Sequence, residues 1–305
     1  MFQLDTSSFG PYTLYTISHP ASGHRFSVVP EKGGTLLDLW FHGASVLDGY
    51  ATPEELDEAK WGKSAILFPF PNRLRDGRYT WQGAEYQFPI NNAATGNAIH
   101  GFARQFPFEI TDITTTEHEG GCTLVFDYDG HLPYYPFACR LDVRFVLSSD
   151  GVFTTTVRME NKHEAAIPAG FGWHPYFRLS PDAVDDSALS LTACQKVGID
   201  ERMIPTGERT TYDAFVTEKG IADTVLDNCF YFDNDITAVL RYGDRVLRME
   251  VPAQSFPYFQ VFTPPHRTSV AFEPMTCNVN AFNNGDGLLH LEAGEVWEGA
   301  FVCRG

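Results

Sequence analysis

The sequence predicts an all-β protein, a large antiparallel β-sandwich with one or two short helices. Short segments of alternating apolar and polar residues recur along the chain, and Gly, Pro and Asn turn signals separate them. No segment keeps the helical period of apolar residues over three turns. The 305 residues, 43% of them hydrophobic, show no linker, internal repeat or break in composition. We therefore expect a single domain over residues 1–305.

The individual elements follow from local patterns. Alternation or β-branched residues predict strands at 12–17, 26–30, 35–40, 78–81, 141–147, 152–157, 245–251, 258–262, 268–272 and 296–302. Asp76-Gly77 and Gln82-Gly83 flank one of these segments and are typical of hairpin turns. Thr52, Pro53 and Glu55 predict the start of a short helix that ends near Lys60, because they suit the cap and first turn. Residues 180–187, rich in Asp and Pro, predict a long surface loop.

Composition excludes several kinds of partner. A formal charge of -17 repels phosphates, so we expect neither nucleic acid nor an anionic membrane surface as a partner. No apolar stretch is long enough to cross a bilayer, and the N-terminus lacks the pattern of a signal peptide. The six cysteines are widely separated and form no Cys-x-x-Cys pair, which is typical of reduced, buried thiols. These features predict a cytoplasmic protein that binds a neutral ligand.

The most unusual stretch surrounds His174. Trp173 and Tyr176 lie beside this histidine, Pro175 follows it, and further aromatic residues extend the segment. Aromatic walls around one titratable group are typical of a small-molecule pocket, although a core strand with a hydrogen-bonded histidine would show the same pattern. Glu273 ends another apolar segment and precedes a proline. Partial burial would raise the pKa of its carboxyl toward the range of a general base, whereas an exposed strand end would leave it inert.

Three more sites, with four residues in all, carry polar groups at the edges of apolar segments. Asn72 and Arg73 end a proline-punctuated apolar run, where an arginine fork can bind several ligand oxygens in a fixed geometry. His100 precedes a glycine after a polar loop, and Asp227 lies between apolar neighbours. The alternative for each of these side chains is a solvated or hydrogen-bonded residue without a ligand.

Other chemistries lack their sequence signals. The chain contains no Gly-x-Ser-x-Gly elbow, no phosphate-binding loop and no dinucleotide fingerprint. No two histidines have the close spacing of paired metal ligands. We therefore expect neither a cofactor nor a catalytic metal.

Taken in order, five of these sites resemble the motifs of the aldose 1-epimerase (galactose mutarotase) family: Asn72-Arg73, His100-Gly101, the stretch 173–177, Asp227 and Glu273-Pro274. The resemblance covers most of the chain, from Gly33-Gly34 to the C-terminal strands. It implies a galactose mutarotase-like supersandwich that interconverts the α and β anomers of a free aldose. The implied partner is a small-molecule sugar, with no nucleic acid and no membrane, bound by a monomer or a homodimer.

The resemblance also implies a role for each site. Glu273 would take the proton from the C1 hydroxyl, and His174 would donate one to the ring oxygen, so that the ring opens and recloses. His100 and Arg73, with the neighbouring Asn72, would hold sugar hydroxyls, and Asp227 would accept hydrogen bonds from hydroxyls remote from C1. Aromatic side chains such as Trp173, Tyr176 or Phe262 would pack on the apolar face of the sugar ring.

Some positions depart from the family pattern and leave other functions open. Trp173, Pro175 and Met275 differ from the galactose-type members, which leaves the preferred sugar unassigned. A hexose-6-phosphate epimerase of the same fold would bind its phosphate with a cluster of Arg73, Arg75, Arg78 and Arg104. A glycoside hydrolase would use Asp227 and Glu273 as paired carboxylates but would leave both histidines without a role. A non-catalytic sugar-binding sandwich would not need both His174 and Glu273.

Overall fold

The computed structural model describes residues 1–305, and strands dominate it, as the sequence predicts. The strands are β1 Gln3–Phe9, β2 Tyr12–His19, β3 His24–Val29, β4 Thr35–Phe41, β5 Ala44–Ser45, β6 Ala65–Leu67, β7 Arg73–Leu74, β8 Arg78–Trp81, β9 Ala84–Gln87, β10 Ala98–Ile99, β11 Glu109–Thr115, β12 Glu119–Tyr128, β13 Cys139–Ser148, β14 Val152–Asn161, β15 Ile167–Ala169, β16 Gly172–His174, β17 Tyr176–Phe177, β18 Ala188–Leu191, β19 Cys194–Ile199, β20 Pro205–Tyr212, β21 Lys219–Gly220, β22 Asp227–Tyr231, β23 Ile236–Tyr242, β24 Arg245–Val251, β25 Tyr258–Phe262, β26 Val270–Met275, β27 Leu289–Leu291 and β28 Val296–Arg304. The α-helices are α1 Pro53–Glu58 and α2 Ala281–Asn284.

Two large antiparallel sheets form the sandwich. One has nine strands in the order β11-β12-β13-β14-β28-β24-β23-β18-β21, and the other has eight, with β20-β19-β22-β25-β26-β16-β6 in line and β17 beside β26. A five-stranded sheet, β1 to β5, adds the N-terminal part. Along β13, buried and half-buried residues alternate strictly, because successive side chains of a strand point to opposite faces.

The core lies between these sheets and is continuous. Phe26 of the five-stranded sheet packs against Phe145 and Phe153 of the nine-stranded sheet, with ring centroids 6.3 and 5.4 Å apart. Trp173 of the eight-stranded sheet stacks on Phe301 of the nine-stranded sheet at 5.8 Å. All six cysteines are buried and free, which agrees with the expectation of unpaired thiols. Neither helix has the length and apolar character that a membrane crossing requires.

Most predicted elements are present with shifted ends. The structure reproduces β24 and β25 with the predicted bounds, and Gln82-Gly83 joins β8 to β9 with positive φ at both residues, as a tight hairpin turn requires. The predicted strand at 268–272 instead begins at Val270. The N–H of Thr268 donates to the imidazole Nδ1 of His266 at 3.2 Å, so it takes no part in a strand ladder. The exposed strand β1 carries no clear alternation and was not predicted.

The short helix is present and capped at its predicted start. Thr52 accepts the N–H of Glu55 at 3.3 Å, and the Glu55 carboxylate accepts the N–H of Ala51 at 2.9 Å. The reciprocal bond of a capping box therefore reaches one residue further back than the pattern predicts. The helix ends at Glu58, and a 3-10 turn over Lys60–Gly62 follows it. The predicted loop at 180–187 contains a 3-10 turn over Val184–Asp186.

Candidate active site

Strand register brings the predicted acid and base together. Gln260 of β25 lies opposite Glu273 of β26, and Gly172 of β16 lies opposite Met275 of the same strand. His174 follows Gly172 by two residues and therefore shares its face of the sheet, beside Glu273. The His174 Nε2 is 3.3 Å from the Glu273 Oε1, and the two residues are only 5% and 1% exposed.

Trp173 does not belong to this site. It lies between Gly172 and His174 on β16, so its side chain points to the opposite face of the sheet, into the core. There it is 1% exposed, stacks on Phe301 and lies 6.2 Å from the ring of Phe145. The expectation that Trp173 packs against a sugar is therefore wrong.

A cavity of about 290 Å³ lies over the Glu273–His174 pair. The remaining seven predicted site residues all line it: Glu273, His174, Arg73, His100, Asp227, Asn72 and Tyr176. Residues from seven strands (β7, β10, β16, β17, β22, β25 and β26) and from the connecting segments around 59–62, 72, 92 and 100–104 therefore converge at one place. The volume is close to the lower limit of small-molecule pockets, about 300 Å³, and suits a ligand of monosaccharide size.

A chain of polar side chains crosses the floor of the cavity. The Gln260 Nε2 donates to the Asp227 Oδ1 at 2.7 Å, and the Asn72 Nδ2 donates to the Gln260 Oε1 at 3.4 Å. At the other end, the Arg73 Nη1 donates to the Asn72 Oδ1 at 3.0 Å. These bonds fix the orientation of a carboxylate, two amides and a guanidinium, the groups that recognise hydroxyls in a fixed geometry.

His100 is held in one tautomer by the backbone. Its Nδ1 accepts the N–H of Asn72 at 3.2 Å, so in the neutral imidazole the proton resides on Nε2, which is left to donate to a ligand. His100 has a φ of 66°, and its ring meets that of His174 edge-on at 5.2 Å. The glycine of the His100-Gly101 motif is required here, because a Cβ at Gly101 would overlap the carbonyl of Phe68.

Comparison with known proteins now identifies the family. The family model described as aldose 1-epimerase matches residues 13–304. The chain belongs to the aldose 1-epimerase family. It is 31% identical over 281 residues to the uncharacterized protein YihR of Escherichia coli strain K12, covering 90% of this chain and 88% of YihR.

Two solved structures share the fold. A galactose mutarotase-like protein from Clostridium acetobutylicum superposes with a TM-score of 0.88 at 18% identity, over 99% of this chain and 97% of that one. The galactose 1-epimerase of Lactobacillus acidophilus gives 0.84 at 16% identity, over 100% and 98% of the two chains. At these identities the likeness establishes the mutarotase-like β-sandwich fold alone.

Burial controls the electrostatics of this aldose 1-epimerase family member. Burial raises the pKa of Glu273 well above its ordinary value, and the negative charge of Asp227 adds to the shift, while Arg73 opposes it. Burial also lowers the pKa of His174 to about 3. Both shifts favour the uncharged forms, so the 3.3 Å contact between the two side chains joins two neutral groups rather than an ion pair in the free site. The pKa of His100 is likewise lowered, mainly by burial.

Several buried polar atoms in the cavity have no hydrogen-bond partner within the protein. They are the His174 Nδ1, the Glu273 Oε2, the Arg73 Nε and the Arg104 Nε. Buried polar groups are usually paired, and unpaired ones concentrate at functional sites. Of the four arginines considered for a phosphate, only Arg73 and Arg104 line the cavity. Arg75 instead pairs with Asp200, and Arg78 donates to Gln87 at 2.8 Å.

Sequence reasoning missed Gln260 and Trp61, which also line the cavity. Gln260 lies within a predicted strand, but its proximity to the site follows from the pairing of β25 with β26, and no local pattern encodes that pairing. Trp61 lies in the 3-10 turn after α1 at a φ of 67°, and no motif marks it. Phe262, two residues after Gln260, lines the same cavity.

Proposed function

We propose that this protein is an aldose 1-epimerase that interconverts the α and β anomers of a free aldohexose by acid–base opening and closing of the ring. The observation that carries the proposal is the direct contact of Glu273 with His174 in a cavity of monosaccharide size. The C1 hydroxyl and the ring oxygen of a pyranose are attached to the same carbon. An acid and a base that serve these two oxygens must therefore lie side by side.

The proton steps use these two residues alone. The Glu273 carboxylate accepts the proton of the C1 hydroxyl, while the His174 imidazolium donates a proton to the ring oxygen as the bond from C1 to that oxygen breaks. The resulting open-chain aldehyde rotates about the bond between C1 and C2. On closure, the C5 hydroxyl oxygen attacks the other face of the carbonyl and gives its proton to His174, while the Glu273 carboxylic acid returns its proton to the carbonyl oxygen, which becomes the new C1 hydroxyl. Both residues are then back in their starting states.

The protonation states of the free site are compatible with this cycle. A neutral imidazole beside a carboxylic acid carries the same net charge as an imidazolium beside a carboxylate, so the pair changes state by moving one proton internally. A sugar hydroxyl that donates to Glu273 favours the carboxylate, and a ring oxygen that accepts from His174 favours the imidazolium. The raised pKa of Glu273 also makes its carboxylate a stronger base than an exposed glutamate.

The polar chain from Asp227 to Arg73 supports recognition of the remaining hydroxyls. Asp227 offers acceptor atoms, Arg73 offers donors, and Gln260 and Asn72 hold the two in place. Burial raises the pKa of Asp227 and lowers that of Arg73, while the attraction between the two opposes both shifts. Each hydroxyl of a neutral sugar can both donate to the Asp227 carboxylate and accept from the Arg73 guanidinium, so a sugar can satisfy both groups.

One observation favours a second candidate, a hexose-6-phosphate 1-epimerase. The Arg104 guanidinium lines the cavity, and its Nε has no hydrogen-bond partner in the protein. A phosphate could accept from Arg104, although the other two arginines of the expected cluster are bonded elsewhere and the chain carries a formal charge of -17.

Polarimetry tests the proposal and separates the two candidates. Freshly dissolved α-anomers of several aldohexoses are followed with and without enzyme, and the anomers of glucose 6-phosphate are followed in parallel by NMR. Catalysis of the free sugars at higher kcat/KM supports the first function. Catalysis confined to the phosphorylated sugar would replace it with the second, and acceleration of neither would refute both.

A further inference from the structure

The segment 59–64, called here the strap, has an unusual backbone. Ala59, Trp61 and Ser64 have φ values of 48°, 67° and 55°, and Gly62 has 64°. Residues other than glycine rarely adopt this left-handed conformation, because their Cβ crowds the backbone. Such a conformation persists only where the surroundings enforce it, and it concentrates at functional sites.

Hydrogen bonds fix the strap to the structure around the candidate acid. The Tyr176 hydroxyl donates to the carbonyl of Trp61 at 3.0 Å, and the Tyr50 hydroxyl donates to the adjacent carbonyl of Lys60 at 3.0 Å. The N–H of Ser64 donates to the carbonyl of His174 at 2.8 Å. The strap is therefore held by Tyr50, by Tyr176, whose ring stacks on the His174 imidazole, and by the backbone of His174 itself.

The indole of Trp61 forms one wall of the sugar cavity. It lies 6.2 Å from the ring of Phe262 and is half-buried, and it borders both the sugar cavity and a neighbouring cavity of about 310 Å³. Tyr176 is less available to a ligand. Its ring is stacked on the His174 imidazole at 4.9 Å, and its hydroxyl is bonded to the strap.

We propose that Trp61 is the aromatic platform on which the apolar face of the sugar ring packs, and that Tyr176 is the residue that positions it. The inference rests on the proposed function and assigns to Trp61 the role that Trp173 cannot fill. The C–H groups on one face of a pyranose are apolar and pack on an aromatic surface, while its hydroxyls bond at the rim. At a φ of 67°, glycine would occupy position 61 with less crowding than tryptophan. The presence of a large side chain there therefore suggests that the side chain itself has a role.

Calorimetric titration with 1,5-anhydro-D-glucitol and 1,5-anhydro-D-galactitol measures this contact without turnover, because these sugars lack the anomeric hydroxyl. Trp61→Leu is expected to weaken binding about 5-fold to 10-fold, and Trp61→Phe, which keeps an aromatic surface, about 3-fold or less. Trp81→Leu is the matched control, since Trp81 is also half-buried but does not line the cavity, and its affinity should equal that of the wild type. Unchanged affinity in Trp61→Leu, or equal losses of affinity in the Leu and Phe variants, would refute the role of Trp61 as the aromatic platform.

Kinetic measurements distinguish an error about Trp61 from an error about the proposed function. In polarimetry, Trp61→Leu should raise KM with little change in kcat, because a platform binds the ground state and the transition state alike. Wild-type mutarotation with no KM change in Trp61→Leu would overturn the platform alone. Absence of mutarotation in the wild type would remove the proposed function itself.

Tyr176→Phe tests the positioning role, because it keeps the ring on His174 and removes only the hydroxyl. We expect KM to rise about 2-fold to 10-fold and the pH profile of kcat to stay unchanged. Tyr50→Phe removes the matching bond to Lys60, whose side chain does not line the sugar cavity, and should raise KM less. A lower kcat with a shifted pH profile in Tyr176→Phe would mean that Tyr176 acts through His174, and an unchanged KM would mean that it does not position Trp61.

Discussion

Replacing Glu273 by glutamine separates catalysis from stability at one buried position. The side chain keeps its shape, and the amide can occupy the place of the carboxyl beside the His174 Nε2, which lies 3.3 Å from the Glu273 Oε1. The amide cannot accept the proton of the C1 hydroxyl at neutral pH. General acid–base catalysis contributes about 10²-fold to 10⁴-fold to a rate, so the loss corresponds to about 3–5 kcal/mol of activation free energy.

The same substitution should not weaken the fold. The carboxyl is 1% exposed, its Oε2 has no partner in the protein, and the charge of Asp227 repels its ionised form. Below the ordinary glutamate pKa, both the folded and the unfolded protein hold the proton. As the pH rises above that value, the unfolded chain releases the proton while the folded protein keeps it, so stability falls until the raised pKa is passed.

Glutamine does not titrate, so the Glu273→Gln variant does not lose stability in this way as the pH rises. Its free energy of unfolding relative to the wild type should therefore increase from pH 4.5 toward neutrality, by at most about 1.4 kcal/mol for each pH unit. Polarimetry gives the rate, and denaturant unfolding at several pH values gives the free energy of unfolding. Near-normal mutarotation in the variant would refute the assignment of Glu273 as base. A variant that becomes less stable relative to the wild type as the pH rises would refute the burial argument.

Two further substitutions have expected outcomes. His174→Asn should abolish catalysed mutarotation while circular dichroism shows a folded protein, and a rate near that of the wild type would exclude His174 as the acid. His100→Asn should gain stability relative to the wild type as the pH falls from 7 to 5. Burial lowers the pKa of His100, so below pH 6.5 the unfolded wild type binds a proton that the folded protein cannot, and its stability is lost. A constant difference in the free energy of unfolding over this pH range would contradict that cause.

Local patterns predicted the strands and the polar site residues because both leave short-range signals. Alternation marks a strand such as β13, and Gln82-Gly83 marks a hairpin turn. Arg73 begins β7 and His174 ends β16, whereas Glu273 lies inside β26. Seven of the eight proposed site residues line the same cavity.

The errors and omissions depend on long-range structure. The sequence places Trp173 and His174 on opposite faces of a strand, but only the packing of the two sheets determines which face is the core. Gln260 joins the site through the register of β25 with β26. Trp61 reaches it because the hydroxyl of Tyr176, 115 residues further along the chain, helps the nearer Tyr50 to hold a left-handed backbone.

Saturation-transfer NMR at anomeric equilibrium tests the central claim most directly. Acid–base ring opening at Glu273 and His174 exchanges the two anomers without breaking any C–H bond. In D₂O, the wild-type enzyme should therefore transfer saturation between the α and β H1 signals of its aldose while H1 and H2 keep their full intensity. Glu273→Gln should show only the uncatalysed exchange. Absence of transfer with folded wild-type enzyme and every aldohexose tested, or deuterium incorporation at C1 or C2, would contradict ring opening by this pair.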